Sequence, residues 1–205
     1  MSHHHLQSAP SAKEKALHKR YGHSSLQMIR GAGKLHRPDL MLVFMNPTAR
    51  NVSADPAWRG LRAPWLGVKK IWNLLADLGL IDEEYPEDAD ALYEHVADRG
   101  LFITNLASCT QPDARHLPDA VFRDYLPVIY DEISKLNPRR IITFGNQVSS
   151  VLLQQPISVS AYTGSAFETL ELGGRRFKVY PSYYPVGQGQ RNMPKALARI
   201  RSLIA

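Results

Sequence analysis

The sequence predicts an α/β fold: a three-layer αβα sandwich with a central, mainly parallel four-stranded sheet. Three observations carry this reading. Short, strongly apolar runs recur at 40–45, 100–105, 139–145 and within RFKVYPSYYP (176–185), each bounded by turn-forming residues. Stretches with apolar residues at helical spacing stand between them. Strands that are apolar at successive positions need cover on both faces, and helices above and below a parallel sheet supply it.

Each element follows in order. MSHHHLQSAPSAK (1–13) is polar and unpatterned and reads as a disordered tail, followed by a single domain over 14–205. The histidines at 3–5 are set aside as a chance or tag-derived run. From Glu14 to Ile29 the pattern is weakly helical, with Leu17, Tyr21, Leu26 and Ile29 facing inward. GAGK (31–34) lacks the spacing and the Ser/Thr of a phosphate loop, and is read as a turn. The first strand, LMLVFM, stops at Asn46-Pro47, and a long polar loop leads into a helical pattern over 64–80 that ends at Gly79. A short helix falls around 91–97, and GLFITN is the second strand. Asp119 is placed as the cap of a helix reaching about Leu136, with Val121, Tyr125, Val128, Ile129 and Ile133 inward. Strand three (139–145), a helix (146–153), loop plus an irregular strand (155–174), the last strand and a closing helix (194–204) complete the chain. In such a fold the strand tips share one edge, so Asn46, Asn105, Gly145 and the pair Tyr183 and Tyr184 converge.

Composition narrows the function classes. With 205 residues, 44% hydrophobic and 21% charged, the chain is long enough for a proper core. No apolar run reaches the roughly 18 residues of a membrane span. The lone Cys109 excludes a disulfide framework and an all-cysteine metal site, and the cytoplasm is the expected compartment. The net charge is +6. Residues 1–38 carry seven Lys/Arg against Glu14 alone, the segment from Arg175 onward has no acid, and acids concentrate at 82–98. Basic ends around an acidic middle suit a phosphate backbone on one side, although charge alone leaves other partners open.

Five fragments then give the chain a recognisable pattern: FMNPT (44–48), RAPWLG (62–67), FITNLASCTQP (102–112), NPRRIITFGNQ (137–147) and PSYYPVGQGQRNMPK (181–195). In this order and spacing they resemble the uracil-DNA glycosylase superfamily over nearly everything from Asp39 to Ile204. FMNPT resembles the first glycosylase motif, in its asparagine form. FITN resembles the strand whose asparagine reads the base edge, and YYPVGQGQRN the second motif with its DNA wedge. Three departures stand out. Phe44 replaces the motif's leading glycine, Tyr184 replaces the second-motif histidine, and Cys109 matches one ligand of the iron–sulfur branch whose other three cysteines are absent. No cluster, metal or other cofactor is therefore expected.

The resemblance implies hydrolysis of the bond joining a deaminated base, uracil foremost, to deoxyribose, leaving an abasic site in DNA. The base must leave the stack to be reached. Asn46 is assigned to water positioning; an amide orients water but is no general base at neutral pH. Asp55, farther along the same loop, is a substitute base. Phe44 and Met45 border the base pocket, Trp65 is its aromatic floor, and Asn105 reads the Watson–Crick edge. Tyr184 faces the leaving base oxygen, with Tyr183 the alternative if the alignment slips by one. The wedge is VGQGQR (186–191), through Gln188, Gln190 or Arg191. Phosphate contacts are assigned to Lys69, Lys70, Arg191 and Lys195. His95 and His116 have no neighbouring ligand at metal spacing. The chain is expected to act as a monomer. Two other readings stay open: a catalytically silent nucleic-acid-binding member, favoured by Phe44 and Tyr184, and a hydrolase of free nucleosides or nucleotides.

Overall fold

A computed structural model of the chain describes residues 9–51, 69–82, 89–114, 116–185 and 187–204. The strands among them are β1 (Ala32–Gly33), β2 (Leu40–Phe44), β3 (Leu101–Asn105), β4 (Ile141–Phe144), β5 (Glu168–Leu172) and β6 (Arg175–Ser182). The helices are α1 (Ala12–Tyr21), α2 (Lys69–Asp77), α3 (Ala89–Asp98), α4 (Asp119–Leu136), α5 (Asn146–Leu153) and α6 (Met193–Ile204).

The strands form one sheet in the order β1-β3-β2-β4-β6-β5. Its four central members are parallel, and the outermost pairings are antiparallel. The expected four parallel strands are thus present, but the sheet has six strands. The two additional edges are instructive. β1 is the GAGK segment read as a turn; its residues pair with Ile103 and Phe102 of β3. Gly33 has φ +125°, and a Cβ there would collide with the Leu101 carbonyl, so the glycine permits close pairing rather than a phosphate cradle. β5 is the irregular strand foreseen within 155–174, folded back on β6 through Gly173 and Gly174, whose φ values are +55° and +75°.

Alternation along the strands sorts the core into two layers. Leu40, Leu42, Phe44, Ile103, Ile142 and Phe144 pack under α2, α3 and α6. Met41, Val43, Phe102, Ile141 and Val179 pack under α1, α4 and α5. Trp72 anchors the first layer with no exposed surface, and its indole Nε1 donates to the Asp82 carbonyl at 3.0 Å. Trp72→Ala is therefore expected to destabilise the fold by about 3–5 kcal/mol, read as a lower urea midpoint at unchanged m-value.

Three helix boundaries differ from the sequence reading. α1 begins at Ala12, within the segment assigned to a tail, because Ser11 and Glu14 form a reciprocal capping box. It stops at Tyr21 instead of running on towards Ile29. Pro118, not Asp119, occupies the N-terminal cap position of α4, with no side-chain cap bond, and Asp119 instead accepts a hydrogen bond from Gln147 Nε2 at 2.7 Å. No helix among the described residues is long and apolar enough to cross a membrane.

Candidate active site at the carboxyl edge of the sheet

Strand register builds the site. Asn105 of β3 is the partner of Phe44 in β2. Val43 pairs with Thr143, which brings Phe144 level with Phe44, and Phe144 pairs with Ser182. One row, Asn105–Phe44–Phe144–Ser182, therefore crosses the four parallel strands at their carboxyl ends. Phe44 and Phe144 lie in the layer under α2, α3 and α6, and strand alternation places Asn105 and Ser182 on that same face.

The row combines aromatic rigidity with unused polarity. Phe44 and Phe144 are buried, their ring centroids 4.6 Å apart. Tyr184 closes over them, its ring edge-on to Phe44 at 6.1 Å. At the two ends, Asn105 Nδ2 and Ser182 Oγ are buried with no hydrogen-bond partner. Asn105 as a whole is 8% exposed. A buried amide donor left unpaired costs about 1–3 kcal/mol, which makes this strand-tip amide a candidate ligand contact.

Tyr184 follows β6, is half-buried, and its phenol is pushed up to about 12 by burial. It is a neutral hydrogen-bond donor across the physiological range. Glycines shape its surroundings. A Cβ on Gly189 would overlap the Tyr184 carbonyl, and Gly145, at φ +91°, lies against the Tyr184 side chain. The Gly145 N–H also donates to the Ser182 carbonyl at 2.8 Å, tying β4's exit to β6's.

Asn46 sits two residues beyond Phe44, half-buried, and its Nδ2 donates to the Pro47 carbonyl at 3.2 Å. That turn contact leaves the amide oxygen as the group that can orient water. Met45 does not join Phe44: its side chain packs in the layer on the opposite sheet face. Its assignment to the base pocket is corrected by simple alternation, since neighbouring residues leaving a strand point to opposite sides. Trp65 and Asp55 lie outside the described residues. So do the side chains of Lys69 and Lys70, which open α2, and of Gln188 and Gln190, in the 3-10 turn Gly187–Asn192. Arg191 is exposed in that turn, and Lys195, exposed near the start of α6, holds its ammonium 5.1 Å over the Tyr183 ring.

Of the two histidines weighed as ligands, His95 is structural. His95 Nε2 accepts from the Asp82 N–H at 3.1 Å and its ring stacks on Trp72, while His116 is exposed. Among the described residues no cluster of His, Cys, Asp and Glu could hold a metal. Cys109 is buried, and its thiol is pushed up to about 11, so it is not a nucleophile at neutral pH.

Three residues of the site escaped the sequence reading. Phe144 and Ser182 read only as members of the third and the last strand. Arg199 looked like one more surface cation of the closing helix. It is instead 5% exposed, and its guanidinium donates to the carbonyls of Pro181, Gly164 and Ala166. This clasp fixes the end of β6 just ahead of Ser182 and Tyr184. The only available signal was its spacing with Ala196, Ile200 and Leu203 on the apolar face of α6.

No curated protein matches the chain. The family model of the uracil DNA glycosylase superfamily, however, matches residues 30–203, which take in β1 through α6 and every element of the site. The chain accordingly belongs to the uracil DNA glycosylase superfamily, whose members are hydrolases acting on DNA.

Proposed function

We propose that the chain is a monofunctional DNA glycosylase that takes a deaminated base, uracil first, out of the stack and hydrolyses its N-glycosidic bond, leaving an abasic site. The observation that carries this reading is the buried, unpartnered Asn105 amide in a row with Phe44 at the carboxyl edge. An amide offers one acceptor and two donors, matching the alternating carbonyl and N–H groups of uracil. As the bond breaks, the sugar gains oxocarbenium character and the base becomes an anion. Asn46 orients the attacking water through its amide oxygen. Tyr184 donates to the base oxygen where charge develops. Phe44 closes the wall behind the base. Arg191 and Lys195, with Lys69, Lys70, Gln188 and Gln190, serve phosphate and wedge contacts.

Base release from oligonucleotides containing uracil, hypoxanthine or xanthine, single- and double-stranded, tests the proposal; no turnover on any of them would sink it. Tyr184→Phe is expected to lower kcat about 10²-fold, the usual loss for one preorganised donor. The pH profile adds a second check. The donating form is the neutral phenol, present below its pKa, so activity attributable to Tyr184 persists through pH 10 and fails only as pH rises through about 12. An alkaline limb near pH 9 that vanishes in Tyr184→Phe would contradict the assignment.

A second reading has its own support. Asn46 is already engaged by Pro47, and a phenol stands in the second motif. A catalytically silent DNA-binding member would bind DNA with strong salt dependence and release no base.

A further inference from the structure

The amino ends of β2, β4 and β6, opposite the candidate site, border a groove of about 430 Å³ whose lining includes Asp39, Arg139, Arg140, Arg176, Lys178 and Tyr180. Four of these are cations and one is an acid. Asp39 is shared between Arg139 at 3.3 Å and Lys34 at 3.4 Å, and Arg176 meets Glu171 at 3.3 Å. The Arg139 and Arg176 side chains are 65% and 74% exposed, so these pairs are weak and exchange readily with another anion. Arg140 is exposed and has no acid partner among the described residues.

An aromatic stands beside this charge. Phe167, just before β5, is 42% exposed, the one large hydrophobic side chain left in solvent among the described residues. Its ring packs on Tyr180 at 5.7 Å and carries Lys178 Nζ 4.9 Å above it. A fixed ring next to a surplus of cations is the combination that single-stranded nucleic acid uses: phosphates take the charge and a base takes the ring. An acidic protein segment would use the arginines and leave the exposed ring without a role.

We propose that this groove is a second nucleic-acid site, for single strands, with Arg140 and Arg176 on phosphates and Phe167 as a stacking platform. Lys178, a flexible surface side chain, moves to a phosphate when a base takes its place. Arg140 and Arg176, four and six residues before Phe144 and Ser182 on their strands, stand roughly 13–20 Å from the row of the candidate site, and Tyr180 with Phe167 lies along β6 between them. The groove holds the chain on nucleic acid independently of any damaged base.

The test is binding of a fluorescent, undamaged oligodeoxyadenylate of about 10 nucleotides, within the usual span of such sites. Arg140→Glu with Arg176→Glu is expected to weaken binding by about tenfold or more near 0.1 M salt and to flatten the log–log salt slope by about 1.4, two phosphate contacts at about 0.7 each. Phe167→Ala is expected to weaken it at least about fivefold. Base release from a short uracil duplex at saturating concentration stays unchanged in all variants. Thermal unfolding confirms that each variant folds, and Arg140→Ala alone gives a milder version of the same loss. An unchanged slope, an unaffected Phe167→Ala, or equal displacement of the oligonucleotide by polyglutamate would each overturn the proposal. If the parent protein releases no base yet binding still depends on Arg140 and Phe167, the glycosylase reading falls and the groove stands.

Discussion

Replacing Asn105 by leucine is expected to lower kcat/KM for uracil release about 10²–10³-fold while leaving the unfolding free energy within about 1 kcal/mol of the parent. The two halves of this expectation come from one fact. Asn105 Nδ2 is buried and unpartnered in the free protein, so the amide contributes no donor bond to the fold that leucine would remove. Substituting an unsatisfied polar group by an apolar one of similar shape is nearly neutral or stabilising. Under the proposed function the same amide pairs with the base edge, and its removal would leave the base's polar groups without partners as the bond breaks. Single-turnover kinetics and urea unfolding on the same preparation decide the matter. A strand-end asparagine serving only local structure would give the opposite pattern, lost stability with activity retained.

Asn46→Asp carries the second large effect, and in the opposite direction: kcat is expected to rise by about 10²-fold or more. An amide positions water but takes no proton, and a positioned proton acceptor is worth roughly 10²–10⁴-fold. The substitution is almost isosteric at a half-buried position. It also releases the side chain, because a carboxylate cannot donate to the Pro47 carbonyl that Asn46 Nδ2 now holds at 3.2 Å. Two oxygens would repel at that distance, which turns the carboxylate away from the turn. The gain should follow a carboxylate titration, present above the acid's pKa and lost as pH falls through it. Burst kinetics on a uracil duplex, measured between pH 4 and 8, reads both the gain and its pH dependence. Should Asn46→Asp leave the rate untouched while Asn46→Ala does too, the water-handling role belongs to another residue.

The clasp by Arg199 ties the candidate site to distant parts of the chain. α6 packs Ile200 and Leu203 into the layer beneath Phe44 and Phe144, and the same helix delivers a buried guanidinium to the Pro181 carbonyl. Burial lowers its pKa from the usual arginine value, but it remains a cation surrounded by carbonyl oxygens rather than acids. The segment carrying Ser182 and Tyr184 is thereby held by hydrogen bonds to backbone, which fix position without placing a competing carboxylate near the site.

Much of this protein was legible in its residues because the relevant information is local. Apolar runs broken by Asn46-Pro47 or Gly145, helical spacing over Val121, Tyr125, Ile129 and Ile133, and the five motif fragments depend only on neighbours in the chain. They determined the α/β class, the four parallel strands and the superfamily. What tertiary structure decided depends on register and packing between segments far apart in sequence. Pairing of Phe44 with Asn105 and of Phe144 with Ser182 placed one amide and one hydroxyl in a single row, unpartnered. The two-residue period of the strand turned Met45 away from that row. Antiparallel pairing recruited Ala32 and Gly33 as an edge strand where local chemistry read as a turn. Burial made Arg199 a structural clasp although its residue type suggests a surface cation. The physical reason is common to all four: a side chain's chemistry is written in the sequence, but its solvation and partners are set only when distant strands and helices meet.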